Sequence, residues 1–289
     1  MTPRTKGVLL AVTSATGFGV MPVLTKVVYD DGVGPYGVLS IRFSVAAILL
    51  LALARLREES LPRGRQLGRL VLLGGVGYVF ESLCYFSALT RISAGLTALL
   101  LYLYPALVVV LSAVLLRHRP TRPAVICVVT ATLGTALTIG PVAGGQAVGV
   151  LLGLSAASSY ALYIVLSSTA TAGVGPLATS AVVMGACALV YDALALGTRA
   201  AIPSSAGAWT ALAGVAVVGT VVAVTAFFAA LALLGPSDTA VLSTVEPVVS
   251  VAVAAVALGE TLSSVQLAGG VLVLGAVIAL ARTVPALAE

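Results

Sequence analysis

The chain repeats itself at a constant offset of 142 residues. Residues 85–89, Tyr-Phe-Ser-Ala-Leu, align at this offset with residues 227–231, Phe-Phe-Ala-Ala-Leu, and Pro105 aligns with Pro247. Matches at one fixed offset across a chain indicate that a single supersecondary unit has been duplicated. We therefore predict two halves of equivalent structure.

Both halves have the composition of membrane-embedded protein. The chain is 60% hydrophobic and 9% charged, with a mean hydropathy of +1.16, whereas a soluble domain carries about 25% charged residues. Ten apolar stretches are long enough to cross roughly 30 Å of hydrocarbon. They are residues 7–28, 35–54, 70–90, 93–116, 123–140, 147–167, 176–197, 208–234, 237–257 and 264–281. We predict an all-α membrane protein with ten transmembrane helices.

The basic residues indicate the orientation of these helices. If the amino terminus is cytoplasmic, the external loops hold only Arg91 and Arg199, and most other basic residues fall inside. The inner set is Arg4, Lys6, Arg55, Arg57, Arg63, Arg65, Arg69, Arg117, Arg119, Arg122 and Arg282. This asymmetry predicts a multi-pass protein of the cell membrane with both termini in the cytoplasm. The pI of 9.3 then reflects topology and contact with anionic lipid, and it is no argument for a nucleic-acid partner.

Ten helices divide into five per half, and an odd number means that the second half is inverted in the membrane. Charge supports this independently, because the basic stretch 117–122 aligns with residues 259–264, which contain no base. We predict a first five-helix repeat at 1–142 and a second, inverted repeat at 143–289. In membrane proteins this arrangement is typical of secondary transporters, with the substrate site between the repeats.

Motifs for catalysis and metal binding are missing from the sequence. The single histidine, His118, lies in a basic loop, and Cys84, Cys127 and Cys187 fall in predicted spans without metal-ligand spacing. No glycine-rich phosphate loop or nucleophile elbow is found. We predict that the chain is not an enzyme and has no catalytic residue, metal or cofactor.

Polar residues at membrane depth are the informative ones, because each costs a few kcal/mol there unless it is paired or hydrated. Glu246 lies in the ninth span, and Thr239, Ser243, Glu246 and Ser250 share one helical face. Pro247 also leaves the Ser243 carbonyl without its helical partner. We interpret this stripe as a cavity wall in which Glu246 exchanges protons or binds a substrate ammonium. The alternative is a protonated structural side chain bonded to a neighbouring helix.

A second polar stripe runs along the third predicted span. Tyr78, Glu81, Ser82 and Tyr85 recur at helical spacing. Two aromatic rings beside a carboxyl predict an ammonium site through ionic and cation–π contacts. Alternatively, the tyrosines pack and Glu81 pairs with a basic residue of another helix.

Two further tyrosines and two basic residues also lie within the predicted spans. Tyr102 and Tyr104 precede Pro105, and the offset places Tyr104 on Glu246, so we predict that these tyrosines face the same central space. Lys26 is close enough to a helix end to snorkel. Arg42 is deeper, and we expect it to pair with Asp192, Glu81 or backbone oxygens in a mainly structural role.

The whole chain resembles the EamA-type transporters of the drug/metabolite transporter superfamily. The resemblance is carried by residues 242–249, Leu-Ser-Thr-Val-Glu-Pro-Val-Val, and by the turn at residues 258–262, Leu-Gly-Glu-Thr-Leu. In that family both repeats often end in a Gly-Glu turn, but here Arg117-His118 replaces it in the first half. The resemblance implies a ten-helix inner-membrane carrier, often an exporter of amino acids or related metabolites, with a central cavity.

We therefore expect a secondary transporter that exports an amino acid or related small metabolite by alternating access, with protons as a possible coupling ion. A sugar-phosphate or nucleotide-sugar carrier is the alternative within transport, and it would need several cations in the cavity. An intramembrane enzyme acting on lipid would need a base beside a nucleophile such as Ser243, and a channel would show flux without saturation.

Overall fold

The computed structural model describes residues 2–104, 144–171, 173–243, 245–259 and 263–283, with isolated positions between 107 and 137. Throughout this part of the chain every regular element is helical, which confirms the predicted all-α class. The α-helices are α1 Pro3–Asp30, α2 Pro35–Leu56, α3 Gly64–Leu72, α4 Val79–Ala88, α5 Ala94–Leu101, α6 Gly144–Ala170, α7 Pro176–Thr198, α8 Ala206–Ala216, α9 Ala223–Leu242, α10 Val245–Leu258 and α11 Ser264–Thr283. Two π-helical segments, Leu73–Tyr78 and Val217–Val222, join α3 to α4 and α8 to α9.

Six stretches in the described residues are long and apolar enough to cross a bilayer. They are Pro3–Asp30, Pro35–Leu56, Gly64–Ala88, Gln146–Ser167, Pro176–Thr198 and Ala206–Leu234. These match the first, second, third, sixth, seventh and eighth predicted spans. The count of ten stays a prediction, because most of span 123–140 lies outside the described residues. Pro105, His118, Cys127 and Glu260 lie outside them as well.

Local sequence explains where several helices begin. Proline occupies the first turn of α1, α2 and α7, where its missing N–H costs no helical hydrogen bond. Ser93 caps α5 by accepting from the amide of Leu96, and Ser205 caps α8 by accepting from the amide of Ala208.

The ninth predicted span, 237–257, is not one straight helix. Helix α9 ends at Leu242 and α10 begins at Val245. The interruption falls where Pro247 removes the amide that would bond the Ser243 carbonyl. Glu246 therefore lies in the first turn of α10 rather than in a helix interior.

Helices of the first half pack mainly on helices of the second half. Helix α2 packs along α7, α1 packs on α9 and α10, and α6 packs on α4 and α5. The contact of α1 with α10 is especially close at Gly19, where an added Cβ would lie 2.8 Å from the carbonyl oxygen of Glu246. Any larger residue at position 19 would push the first turn of α10 away.

Two carboxylates link the halves at opposite ends of the α2–α7 pair. Asp31, before α2, accepts from the Ser204 amide at 2.6 Å and the Ser205 amide at 3.3 Å, beyond the end of α7. Glu59, after α2, accepts from the Ala178 amide in the first turn of α7 at 2.9 Å. Helices α2 and α7 are therefore antiparallel. The hydrogen bonds to Asp31, led by the Ser204 amide, lower the pKa of its carboxyl.

Candidate functional site

A cavity lies among helices of both halves, and the two buried charged side chains of the described residues, Arg42 and Glu81, line it. Its lining residues are Phe18, Met21, Arg42, Tyr78, Glu81, Tyr85, Phe86, Leu101, Tyr160 and Glu246. The cavity has a volume of about 30 Å³. Since one water needs about 10–15 Å³ by this measure, the cavity has to widen before a metabolite fits.

Glu246 is tied to the first half through Tyr102. The Tyr102 hydroxyl donates to Glu246 Oε2 at 3.0 Å and also contacts the Ser243 carbonyl oxygen. That carbonyl is the group freed by Pro247, so the single proton of the Tyr102 hydroxyl has two acceptors within reach, the Ser243 carbonyl and the Glu246 carboxyl. One hydroxyl thus connects the end of α5 to the break between α9 and α10.

Tyr104 lies beside Tyr102, and neither tyrosine is among the residues that line the cavity. Its ring meets that of Tyr102 edge-on at a centroid distance of 5.6 Å and that of Tyr160 at 4.8 Å. Tyr160 does line the cavity. Tyr104 therefore supports the aromatic wall from behind.

Three of the four residues in the second polar stripe reach the cavity. Tyr78, Glu81 and Tyr85 line it, as does Glu246, so one carboxyl from each predicted stripe reaches the cavity. Ser82 points elsewhere, because its hydroxyl contacts the Tyr78 carbonyl oxygen at 2.5 Å and the Tyr191 hydroxyl at 3.0 Å.

The remaining members of the first stripe are used in helix packing. The Ser243 hydroxyl donates to the Thr239 carbonyl at 2.9 Å, and the Ser250 hydroxyl donates to the Gly19 carbonyl of α1 at 2.9 Å. Ser243 therefore contacts Tyr102 near the cavity through its backbone carbonyl, while its hydroxyl bonds within the helix.

Arg42 is held by groups other than Asp192, one of its three expected partners. Its Nε donates to the Thr220 hydroxyl at 2.7 Å, and its guanidinium lies 4.7 Å from the Phe43 ring centroid and 5.0 Å from that of Phe86. The expected partner Asp192 instead accepts from Ser40 at 2.5 Å and from Ser44. Arg42 is 1% exposed and lines the cavity, so it belongs to the site.

Thr220 holds Arg42 because the second π segment directs its hydroxyl there. The Thr220 hydroxyl donates to the Val215 carbonyl, five residues earlier, at 2.9 Å and accepts from Arg42. Single π-helical turns inside α-helices occur frequently at functional sites. The wider turn therefore fixes an acceptor for a buried guanidinium.

The interpretation of the sequence missed Phe18 and Thr220 as residues of this site, although the repeat points to both. The offset of 142 places Phe18 on Tyr160 and Tyr78 on Thr220. Each pair lies at or beside the cavity. Applying the offset to every polar or aromatic residue of the stripes would have found them.

Lys26 takes no part in lining the cavity. Its ammonium donates to the Ile92 carbonyl at 3.0 Å. Among the described residues that line the cavity, Arg42 is the one with a basic side chain.

Comparisons with known proteins bear on the chain as a whole. A sequence model of the EamA-like transporter family matches residues 5–140 and again residues 147–282. An uncharacterised transporter of Archaeoglobus fulgidus is 28% identical over 199 residues, which cover 67% of this chain and 69% of that protein. A protein of known crystal structure shares the fold with a TM-score of 0.70 and 21% identity, over 98% of this chain and 99% of its own.

Proposed function

Because the chain belongs to the EamA-like transporter family, we propose that it is a secondary transporter that exports amino acids or related small metabolites. In this proposal the substrate binds in the central cavity between the two halves. The protein lies in the cell membrane with both termini in the cytoplasm.

The single observation that carries the choice of substrate is the chemistry of the cavity wall. One guanidinium, from Arg42, and two carboxyl groups, from Glu81 and Glu246, share the wall with aromatic rings. An amino acid carries groups that complement both signs, and its side chain can pack on the rings. Ionisable groups inside the membrane cost free energy, and binding of a substrate with complementary charges offsets that cost.

Alternating access is supported by the way in which the halves pack. Exchange of the halves turns the contact of α1 with α9 into the contacts of α6 with α4 and α5, since the offset of 142 places both α4 and α5 on α9. The equivalent helices α2 and α7 are antiparallel, as an inverted second repeat requires. We propose repeats at 1–142 and 143–289 that rock about the cavity.

The alternative cargoes fit the cavity less well. A sugar phosphate or nucleotide sugar needs several cations for its phosphates, whereas Arg42 is the basic residue found in the described lining and two carboxyls lie beside it. A lipid-acting enzyme needs a base near Ser243, but the Ser243 hydroxyl donates to a backbone carbonyl of its own helix.

Transport by the purified protein in proteoliposomes tests the proposal. Labelled amino acids, sugar phosphates and nucleotide sugars are assayed for saturable flux and counterflow, with and without a pH gradient. We expect saturable amino-acid flux that responds to the gradient. Saturable flux of the phosphorylated compounds alone would contradict the proposed substrate, and flux without saturation would indicate a channel.

A further inference from the structure

We propose that Arg42 and Tyr85 form an anion subsite in the cavity, which binds the carboxylate of the transported substrate. The inference rests on the proposed function for the passage of that substrate, and it adds a requirement on its chemistry. A substrate must carry a carboxylate as well as an ammonium group, and a simple amine is rejected.

Arg42 has a hydrogen-bond donor to spare. The Thr220 hydroxyl occupies Nε, and Nη2 is buried with no hydrogen-bond partner among the residues that the structure describes. A guanidinium keeps its charge at any physiological pH. A buried, charged donor without an acceptor is costly, so an acceptor supplied by the substrate would lower the free energy of the site.

Tyr85 offers a second unused group in the same wall. Its side chain is 2% exposed, and its hydroxyl also has no hydrogen-bond partner within the described part of the chain. Nearby hydroxyls are engaged, because Tyr29 donates to the Phe86 carbonyl and Tyr191 donates to the Val79 carbonyl. Arg42 and Tyr85 both line the cavity, and the proposed subsite requires that the two groups reach one oxyanion once the cavity has widened.

The geometry of Arg42 suits a role in recognition. Thr220 and the rings of Phe43 and Phe86 hold the guanidinium in place, so little entropy is lost when it binds. Its planar fork matches the two oxygens of a carboxylate.

The two carboxyl groups decide between kinds of anion. Glu81 and Glu246 line the same cavity as Arg42. A phosphate dianion would meet them without enough positive charge to compensate. A carboxylate that comes with its own ammonium group brings the opposite charge to those carboxyls, and so a zwitterion complements both signs.

Binding to the purified full-length protein in detergent tests the subsite apart from transport. Each labelled amino acid is compared with its carboxamide and with the amine that lacks the carboxyl group. We expect the amino acid to bind at least about tenfold more tightly than either analogue, since a hydrogen bond to a charged group contributes about 1.5–3 kcal/mol.

Substitutions then assign the difference to the two side chains. Arg42→Gln should weaken binding of the amino acid by about 10- to 100-fold and change binding of the amine less than about threefold. Tyr85→Phe should lower the preference for the acid with little effect on the amine. Arg65→Gln, at an exposed arginine, is the matched control and should change neither.

Each outcome has a definite meaning. If acid, amide and amine bind equally well to the wild-type protein, or if none binds, the inference is overturned. It is overturned also if inorganic phosphate or a sugar phosphate displaces the amino acid more effectively than other carboxylates do.

If Arg42→Gln fails to fold, two other variants test the subsite. Arg42→Lys keeps the charge but loses the planar fork, and Tyr85→Phe removes the hydroxyl. Acid-selective binding without flux in proteoliposomes would refute the proposed function and leave the subsite standing. Flux of amines as fast as that of amino acids would refute the carboxylate subsite and leave the proposed transport function standing.

Discussion

At the scale of single residues, the cavity is organised by a few hydrogen bonds between the halves. Tyr102 bonds Glu246 across the α5–α10 contact, and Thr220, in the π-helical segment Val217–Val222, bonds Arg42 of α2. The offset of 142 predicted Tyr102 in the same space as Glu246, and it also places Tyr78 on Thr220. The hydrogen bonds themselves were not predicted, because spacing along the chain does not say which side chains on different helices meet.

Glu246→Gln separates a proton-exchanging role from a structural one. The amide can still accept from Tyr102, so we expect normal expression and an unchanged thermal unfolding midpoint. It cannot exchange a proton, so flux driven by a pH gradient should fall to the rate found without the gradient. Transport by Glu58→Gln, at an exposed loop position, should match the wild type. An unchanged rate and pH profile in Glu246→Gln would mean that the carboxyl is structural.

Thr220→Val tests whether the hydroxyl holds the guanidinium of Arg42. The substitution keeps the shape of the side chain and removes the acceptor for Nε, so we expect a loss of about 1–3 kcal/mol in the free energy of unfolding. Thr210→Val in α8 is the control, because the Thr210 hydroxyl donates to the Ala206 carbonyl of the same helix at an exposed position. Equal midpoints of unfolding for the two variants would argue against the role of Thr220.

At the scale of elements, long apolar helices could be predicted and their interruptions could not. Six predicted spans have counterparts of similar bounds, because about twenty apolar residues in lipid leave a helix as the stable choice. The π segments at Leu73–Tyr78 and Val217–Val222 depend on one extra residue per turn. Hydropathy does not resolve that difference. Pro247 predicted the loss of one helical hydrogen bond at the Ser243 carbonyl, but it did not predict that α10 begins as a separate helix at Val245.

The link between Asp31 and the start of α8 predicts a sensitivity to acid. The pKa of the Asp31 carboxyl is lowered by the Ser204 amide first and then by neighbouring donors. A lowered native pKa contributes stability above the unfolded pKa, and this contribution disappears as pH falls through the native value. Asp31→Asn should therefore reduce the unfolding midpoint at neutral pH and reduce its fall in acid. The midpoint is measured by thermal denaturation in detergent across pH. Asp30→Asn, at the exposed neighbouring residue, should keep the wild-type profile.

At the scale of the whole molecule, the loops that touch are those that the predicted topology puts on one face. Asp31 and Ser204 both fall outside, Lys26 meets Ile92 outside, and Glu59 meets Ala178 inside. In a protein whose native cysteines have been replaced, Ala206→Cys should react with an impermeant maleimide from outside the cell. Arg65→Cys should react only after the membrane is permeabilised, and a reporter fused after Glu289 should work in the cytoplasm. The reverse labelling pattern would refute the orientation.

Alternating access requires the two faces of the protein to open in turn. The hydrogen bonds of Asp31 with Ser204 and of Glu59 with Ala178 join the halves at opposite faces, so a cross-link at either place can hold that face closed. Cysteines at Asp31 and Ser204, joined by a short cleavable cross-linker, should hold the outer face shut, since the native Ser204 amide lies 2.6 Å from the Asp31 carboxylate. Cysteines at Glu59 and Ala178 should do the same on the inner face. Each cross-link should abolish counterflow, block substrate binding from its own face and leave binding from the opposite face, and cleavage should restore transport. The single-cysteine variants given the same treatment are the controls, because none of them gains a covalent link. Those at Asp31 and Glu59 also lose the accepting carboxylate, whereas those at Ser204 and Ala178 keep the donating backbone amide. If transport persists with either pair fully cross-linked, the halves do not rock about the cavity, and the substrate takes another path.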